Sequence, residues 1–190
     1  MLDKYWMQHF GNVAPIAHTF RETFRSRWIR FHSLPNSKRY AESVLEQATI
    51  LRRFNSIVSE LVTAGSQLEL LTTNWSHSPE SGIPDAKLSL LKIPAVAWRS
   101  VAMREFDGDS EPWYWHIFRS SVSWPSFTLD EVIRLVADDR IGNVMLFNTS
   151  CSWLIHPYDG GMDLILGTSE ARDEMATKYQ QWRSSRSDGL

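Results

Sequence analysis

The chain has 190 residues and carries 20 Lys and Arg against 22 Asp and Glu, a formal charge of −2; this balance excludes the strongly basic footprint of a protein that grips nucleic acid through many phosphates. No apolar stretch approaches the roughly 20 residues of a spanning helix, and the opening Met1-Leu2-Asp3-Lys4-Tyr5-Trp6 lacks a signal-peptide apolar region, so a cytoplasmic chain without membrane attachment is expected. Cys151 is the single cysteine, which excludes an intrachain disulfide and a thiolate zinc cage and fits a reducing compartment.

A chain of this length hides roughly 70% of the surface it would expose unfolded, so one core and one domain are expected. The nine tryptophans read as large rings that fill the core and its rim. Leu2 to Phe10 reads as a short helix stopped by Gly11-Asn12, and Pro15 starts a second helical stretch to about Phe24, with Phe20 and Phe24 on one face. Arg27 to His32 reads as a strand broken by Leu34-Pro35-Asn36-Ser37. From about Glu42 to Ala64 the spacing of Val44, Ala48, Leu51, Val58 and Leu61, with Ile50, Phe54 and Ile57 alongside, predicts a long helix with one broad buried face, and Gly65 stands as its left-handed end.

Leu68 to Thr73 reads as a strand and Ser76 to Pro84 as an exposed loop. Trp98 to Phe106 and Trp113 to Val122 read as antiparallel strands joined by Asp107-Gly108-Asp109-Ser110-Glu111-Pro112. Thr128 with Glu131 makes a capping box for the next helix, with Phe127 packing on Val132. Strands follow near Asn143 to Phe147, Ser152 to Tyr158 and Met162 to Leu166, the last two joined by Asp159-Gly160-Gly161. Thr168 or Ser169 opens a final helix whose buried face holds Met175, Tyr179 and Trp182, and residues 184–190 form a frayed tail. The fold class expected is α+β, a single domain in which helices pack on a largely antiparallel sheet.

Charge is uneven along the chain: residues 1–60 hold nine Lys and Arg against five Asp and Glu, and residues 121–190 hold six against ten. The run from Arg30 to Tyr40 joins Arg30, His32, Lys38 and Arg39, four anion donors, to a turn and the start of a helix, the makings of a phosphate or carboxylate site. It also reads as a solvated basic connection, since no GxxxxGK[ST] or GxGxxG pattern occurs. Glu105, Asp107, Asp109 and Glu111, followed by Trp113, Tyr114 and Trp115, set carboxylates beside large rings. That pairing suits the docking of a basic protein partner, and equally an ordinary polar hairpin with its rings turned inward. The ligand series of a calcium loop is absent around Asp107.

His156, Asp159 and Asp163 approach a hairpin end and read either as an acid/base or metal-binding group or as a tight turn in which glycine supplies a positive φ. The six histidines never fall at i, i+4 on one helix, and neither HExxH nor GxSxG occurs, so no catalytic residue, metal or cofactor is assigned.

The segments Arg30-Phe31-His32-Ser33-Leu34-Pro35 with Ser37-Lys38-Arg39-Tyr40, and Trp153-Leu154-Ile155-His156-Pro157-Tyr158-Asp159-Gly160-Gly161-Met162-Asp163, resemble an uncharacterised bacterial domain family over about Tyr5 to Trp182. The resemblance brings no activity or catalytic residue with it. By type, such domains look like immunity proteins. The expectation that follows is a non-catalytic binding protein that neutralises a cognate toxin by masking its active surface through Asp107, Asp109, Glu111, Trp113 and Trp115. The alternative is a small-molecule or phosphate-handling protein or enzyme built on Arg30, His32, Lys38 and Arg39.

Overall fold

The computed structural model describes residues 2–80, 82–104, 112–149, 152–184, 186 and 189. Helix α1 (Leu2–Phe10) buries Leu2, Tyr5, Trp6 and Phe10, and Gly11, with φ of +64°, ends it. A 3-10 turn (Ala17–Thr19) runs into the single-turn α2 (Phe20–Thr23), where Phe20 and Phe24 touch as the spacing predicts, with centroids 5.4 Å apart. Strand β1 (Trp28–His32) is followed by a second 3-10 turn (Pro35–Ser37) and α3 (Val44–Leu61). Then come β2 (Gln67–Ser76), α4 (Ala86–Leu90), β3 (Val96–Ala102), β4 (Tyr114–Ser123) and α5 (Phe127–Ala137). The chain closes with β5 (Met145–Phe147), β6 (Leu154–Tyr158), β7 (Gly161–Ile165), α6 (Ser169–Lys178) and a last 3-10 turn (Gln180–Trp182).

The seven strands form one sheet in the order β1-β7-β6-β5-β2-β4-β3, with every pairing antiparallel. The chain is therefore a single α+β domain, as expected. Because strand side chains alternate between faces, the register sorts them. Ile29, Phe31, Leu164, Ile155, Leu146 and Leu70 share one face; Trp28, Arg30, Asp163, His156 and Phe147 share the other.

The first face meets α3 and the end of α6, where Phe31 touches Tyr179 edge-on at 5.9 Å and the Tyr179 hydroxyl donates to Glu60 of α3 at 2.8 Å. Helix α5 lies beside α3, tied to it by Asn55 donating to Asp130 at 3.0 Å. On the second face Tyr5 stacks on Phe147 with centroids 5.1 Å apart and planes 4° from parallel, and Trp6 meets Phe147 and Trp98 edge-on. Aromatic contacts of this kind combine large buried area with preferred geometry. Eight of the nine tryptophans are buried or half-buried, which accords with their reading as core and rim; Trp75 is 59% exposed.

Three local readings are corrected. The cap of α5 is Ser126, whose hydroxyl accepts from Leu129 N at 3.2 Å, two residues ahead of Thr128. Phe127 thus lies inside the helix and is 75% exposed instead of packing on Val132. Helix α3 ends at Leu61; Gly65 is left-handed at φ of +87° but belongs to the connection to β2, where its N–H donates to Trp124 O. The buried stripe of α3 is Ile50, Arg53, Phe54, Ile57 and Val58, while Val44, Leu45 and Ala48 face solvent. Helix α4, with Asp85 accepting from Lys87 N, follows Pro84 in a stretch whose proline and glycine content hides it.

Candidate functional site

The site is built on the second face, at the β1 side of the sheet. Strand β1 alternates Trp28, Arg30 and His32 upward with Ile29 and Phe31 downward. The register sets Arg30 opposite Asp163 of β7 and Asp163 opposite His156 of β6, a row of three polar side chains across three strands; the next row is His32, Gly161, Tyr158. Directly opposed side chains stand about 5 Å apart, so the register of the three strands assembles the group.

Arg30 and Asp163 are a bidentate pair, Nε to Oδ1 at 2.6 Å and Nη2 to Oδ2 at 2.8 Å, the strongest geometry open to a guanidinium and a carboxylate. The guanidinium also lies over the Tyr158 ring at 4.7 Å and the Trp28 ring at 5.6 Å. The row is interrupted by Gly161 for a packing reason: a Cβ there would lie 2.2 Å from the Phe31 carbonyl oxygen and 2.9 Å from the Tyr158 hydroxyl. Neither Gly160 nor Gly161 adopts a left-handed φ, which corrects the expectation of positive φ in this hairpin. Asp159-Gly160 is nevertheless the turn between β6 and β7, and it is also part of the site.

Asp159 is fixed from outside the hairpin. Its carboxylate accepts from Arg39 Nε and from the Tyr40 hydroxyl at 2.9 Å, while Gly160 O accepts from Ser33 N at 3.1 Å. These bonds fasten the connection after β1 onto the hairpin tip. Asn36 and Ser37 in that connection hold φ of +56° and +55°. Such left-handed non-glycine residues persist only where surroundings determine them, and here they carry Ser37 to the cleft wall.

From the other side the 3-10 turn and α2 supply His18 and Arg21. Buried Asn143 anchors that turn: its Oδ1 accepts from Ala17 N at 2.8 Å, and its Nδ2 donates to Pro15 O at 3.0 Å and Thr73 Oγ1 at 2.9 Å. Together these elements enclose a cleft of about 370 Å³ lined by His18, Arg21, Arg30, His32, Ser37, Arg39, His156, Tyr158, Asp159, Gly160 and Asp163.

The protonation states follow from the partners. His156 Nδ1 lies 2.8 Å from Val144 O; a carbonyl only accepts, so Nδ1 carries the proton and Nε2 keeps its lone pair in the neutral ring. Burial pushes the His156 imidazolium below the usual imidazole range. Burial first, then the charges of Arg30 and Arg53, does the same to His32, whose Nε2 is buried without a hydrogen bond. Burial also raises Tyr158 well above an ordinary phenol, keeping it neutral. Three guanidiniums thus line the cleft with two carboxylates, with neutral His32 and His156 between them; Arg21, whose counter-charge lies outside the lining, pairs with Glu22 at 3.6 Å. Among the described residues no three His, Cys, Asp or Glu side chains converge as a metal site.

Of the four anion donors read from the sequence, the structure brings Arg30, His32 and Arg39 into one cleft. Lys38 lies elsewhere, bonded to Glu42 at 3.0 Å and Glu46 at 2.8 Å. The start of α3 likewise meets its own needs, with Ser43 accepting from Glu46 N at 3.2 Å and Glu46 from Glu42 N at 2.7 Å, so side chains of the chain itself occupy that end. His156, Asp159 and Asp163 join the cleft. His18 and Arg21 were missed; their i, i+3 spacing, each directly after an apolar residue that is buried, Ala17 and Phe20, was the available signal. Asp107, Asp109 and Glu111 lie outside the described residues. Trp113 and Trp115 are half-buried, 6.1 Å apart edge-on, with Trp115 against His18 at 6.4 Å.

Neither a curated protein nor a solved structure matches this chain. A family model does, over residues 16–187, a span that holds every residue of the cleft; the chain belongs to the domain of unknown function family DUF3885.

Proposed function

We propose that the chain binds a small anionic molecule, bearing a carboxylate or phosphate, in the cleft over β1, β7 and β6. The observation that supports this reading most directly is the gathering of Arg21, Arg30 and Arg39 with His18, His32 and His156 around a single opening of about 370 Å³, a size suited to a small ligand. Arg30 is held rigid by Asp163 and its flanking rings, so its place in the wall costs no ordering on binding. The guanidinium of Arg39 commits Nε to Asp159 and retains further donors. Neutral His32 and His156 add hydrogen-bonding groups without repelling the arginines. Isothermal titration with succinate and with inorganic phosphate at low ionic strength tests the reading: saturable binding weakened at least tenfold in Arg39→Gln and Arg21→Gln supports it, and no heat with either anion overturns it.

A second reading, a binding protein that masks a cognate toxin, is favoured by one feature. Trp75 is 59% exposed and pairs across strands with Trp115, whose ring lies 6.1 Å from that of Trp113, so ring area is gathered where a partner could anchor. A toxin encoded beside the reading frame would be the partner to test. Loss of a measured complex in Trp75→Ala supports this reading, and unchanged affinity removes the surface from it.

A further inference from the structure

The arginines of the cleft over β1, β7 and β6 only donate hydrogen bonds, a demand that any small anion meets. The neutral imidazole of His156 makes a different one. Its Nδ1–H is committed to Val144 O at 2.8 Å, just ahead of β5, and a neutral ring held by that bond keeps its lone pair on Nε2. Burial disfavours the cation, so Nε2 stays an acceptor at neutral pH and has no proton to offer an anion.

The ring is also fixed in place. The register sets His156 opposite Asp163 and Asp163 opposite Arg30, the Tyr158 ring lies 6.2 Å away with planes 38° apart, and the carbonyl that holds Nδ1 belongs to the backbone. Turning the ring to present a donor would break that bond, so this nitrogen discriminates between ligands. A methylene group laid against Nε2 excludes water without replacing the hydrogen bond that water can donate, and affinity is lost; a hydroxyl restores the bond. Neutral His32, in the same lining, brings one further acceptor nitrogen in either tautomer. Arginines and imidazoles share one opening of about 370 Å³, small enough for a single compact ligand to reach both.

We propose that the ligand of this cleft is a small hydroxy acid, its anionic group on the arginines and its hydroxyl donating to His156 Nε2. The inference rests on the anion-binding reading above and makes His156 the residue that sets specificity. The test is isothermal titration of the full chain with succinate and with each enantiomer of malate, at constant ionic strength. Malate differs from succinate by one hydroxyl, and both are dianions at neutral pH. One enantiomer of malate is expected to bind at least tenfold more tightly than succinate and to displace the nitrogen resonance of His156 Nε2. In His156→Asn the amide can still donate to Val144 O but leaves no acceptor at the Nε2 position, and the ratio of the two affinities is expected to fall close to one. His156→Gln, which carries an amide oxygen near that position, is expected to restore part of the preference.

Equal affinity of the wild-type chain for succinate and both malates overturns the inference, as does a malate preference undiminished in His156→Asn. The wild-type comparison and the Nε2 resonance decide the matter without the variants, should either fail to fold. Failure of all three dicarboxylates to bind also overturns it; only the additional failure of inorganic phosphate removes the anion-binding reading itself.

Discussion

Asp163 accepts from Arg30 with both of its carboxylate oxygens, one from Nε and one from Nη2, so this carboxylate serves as a structural clamp. The pair is mostly hidden, with 16% of the arginine and 6% of the aspartate side chain exposed. Asp163→Asn leaves a desolvated guanidinium without its counter-charge and is expected to cost about 3–5 kcal/mol. Replacing both partners, Arg30→Met with Asp163→Leu, removes the stranded charge and is expected to cost less. Urea unfolding of the two proteins checks the order; a double variant less stable than Asp163→Asn contradicts it.

Gly161 is required by the approach of β7 to β1. An added methyl meets backbone, the Phe31 carbonyl, at 2.2 Å, and backbone at that distance yields only by moving the strand. Gly161→Ala is expected to destabilise by about 3 kcal/mol or more. Gly142→Ala is the control, since nothing lies within 4 Å of its added carbon, and its effect is expected within about 0.5 kcal/mol.

Stability is expected to fall on acidification. His32, His116 and His156 all titrate below the usual imidazole range in the folded chain because burial disfavours the cation. The unfolded chain therefore binds more protons once pH drops below about 6.5, and folding loses ground from there down through the depressed folded values. The slope is bounded at about 1.4 kcal/mol per pH unit for each fully displaced group, with less from those that solvent screens. Thermal unfolding between pH 7.5 and 5 checks the sign, and His156→Asn should flatten the curve. A melting temperature that rises on acidification contradicts the account.

Asn143 joins the sheet to the turn that presents His18. Losing its three hydrogen bonds to Ala17, Pro15 and Thr73 in Asn143→Ala strands buried backbone groups and is expected to cost about 2–4 kcal/mol. Anion binding should weaken in the same protein, as His18 and Arg21 lose their footing. A stable Asn143→Ala chain with unchanged binding separates the turn from the site.

The cap of α5 gives a direct contrast. Ser126→Ala removes the hydroxyl that accepts from Leu129 N and is expected to cost about 1 kcal/mol, whereas Thr128→Ala, inside the helix, is expected to change stability by less than about 0.5 kcal/mol. Denaturant midpoints of the two variants decide between the caps.

The contrast shows where the sequence was readable. Ser126 and Thr128 both offer a hydroxyl near the helix start, and local pattern favours the one followed by Glu131; only the path of the chain out of β4 selects the other. Alternation in Trp28 to His32 and in Leu154 to Ile165 made the strands legible, and with them the α+β class and the cleft's central residues. The strand order was not legible, because β1 pairs with β7 across more than a hundred residues of chain. Neither was the separation of Lys38 from Arg39: adjacent cations in sequence were divided by Glu46, which draws Lys38 to α3, and Asp159, which draws Arg39 to the hairpin. Trp75 escaped notice because β2 runs past Thr73 into a serine-rich stretch.

The most direct test of the central claim is to follow the ring resonances of His18, His32 and His156 while succinate is added to the isotopically labelled chain, in wild type and in Arg39→Gln. The account predicts that the three imidazoles shift together with one saturable affinity, and that Arg39→Gln weakens all three at least tenfold. Imidazoles that remain unmoved, or that respond to succinate and to sodium chloride alike, would contradict it.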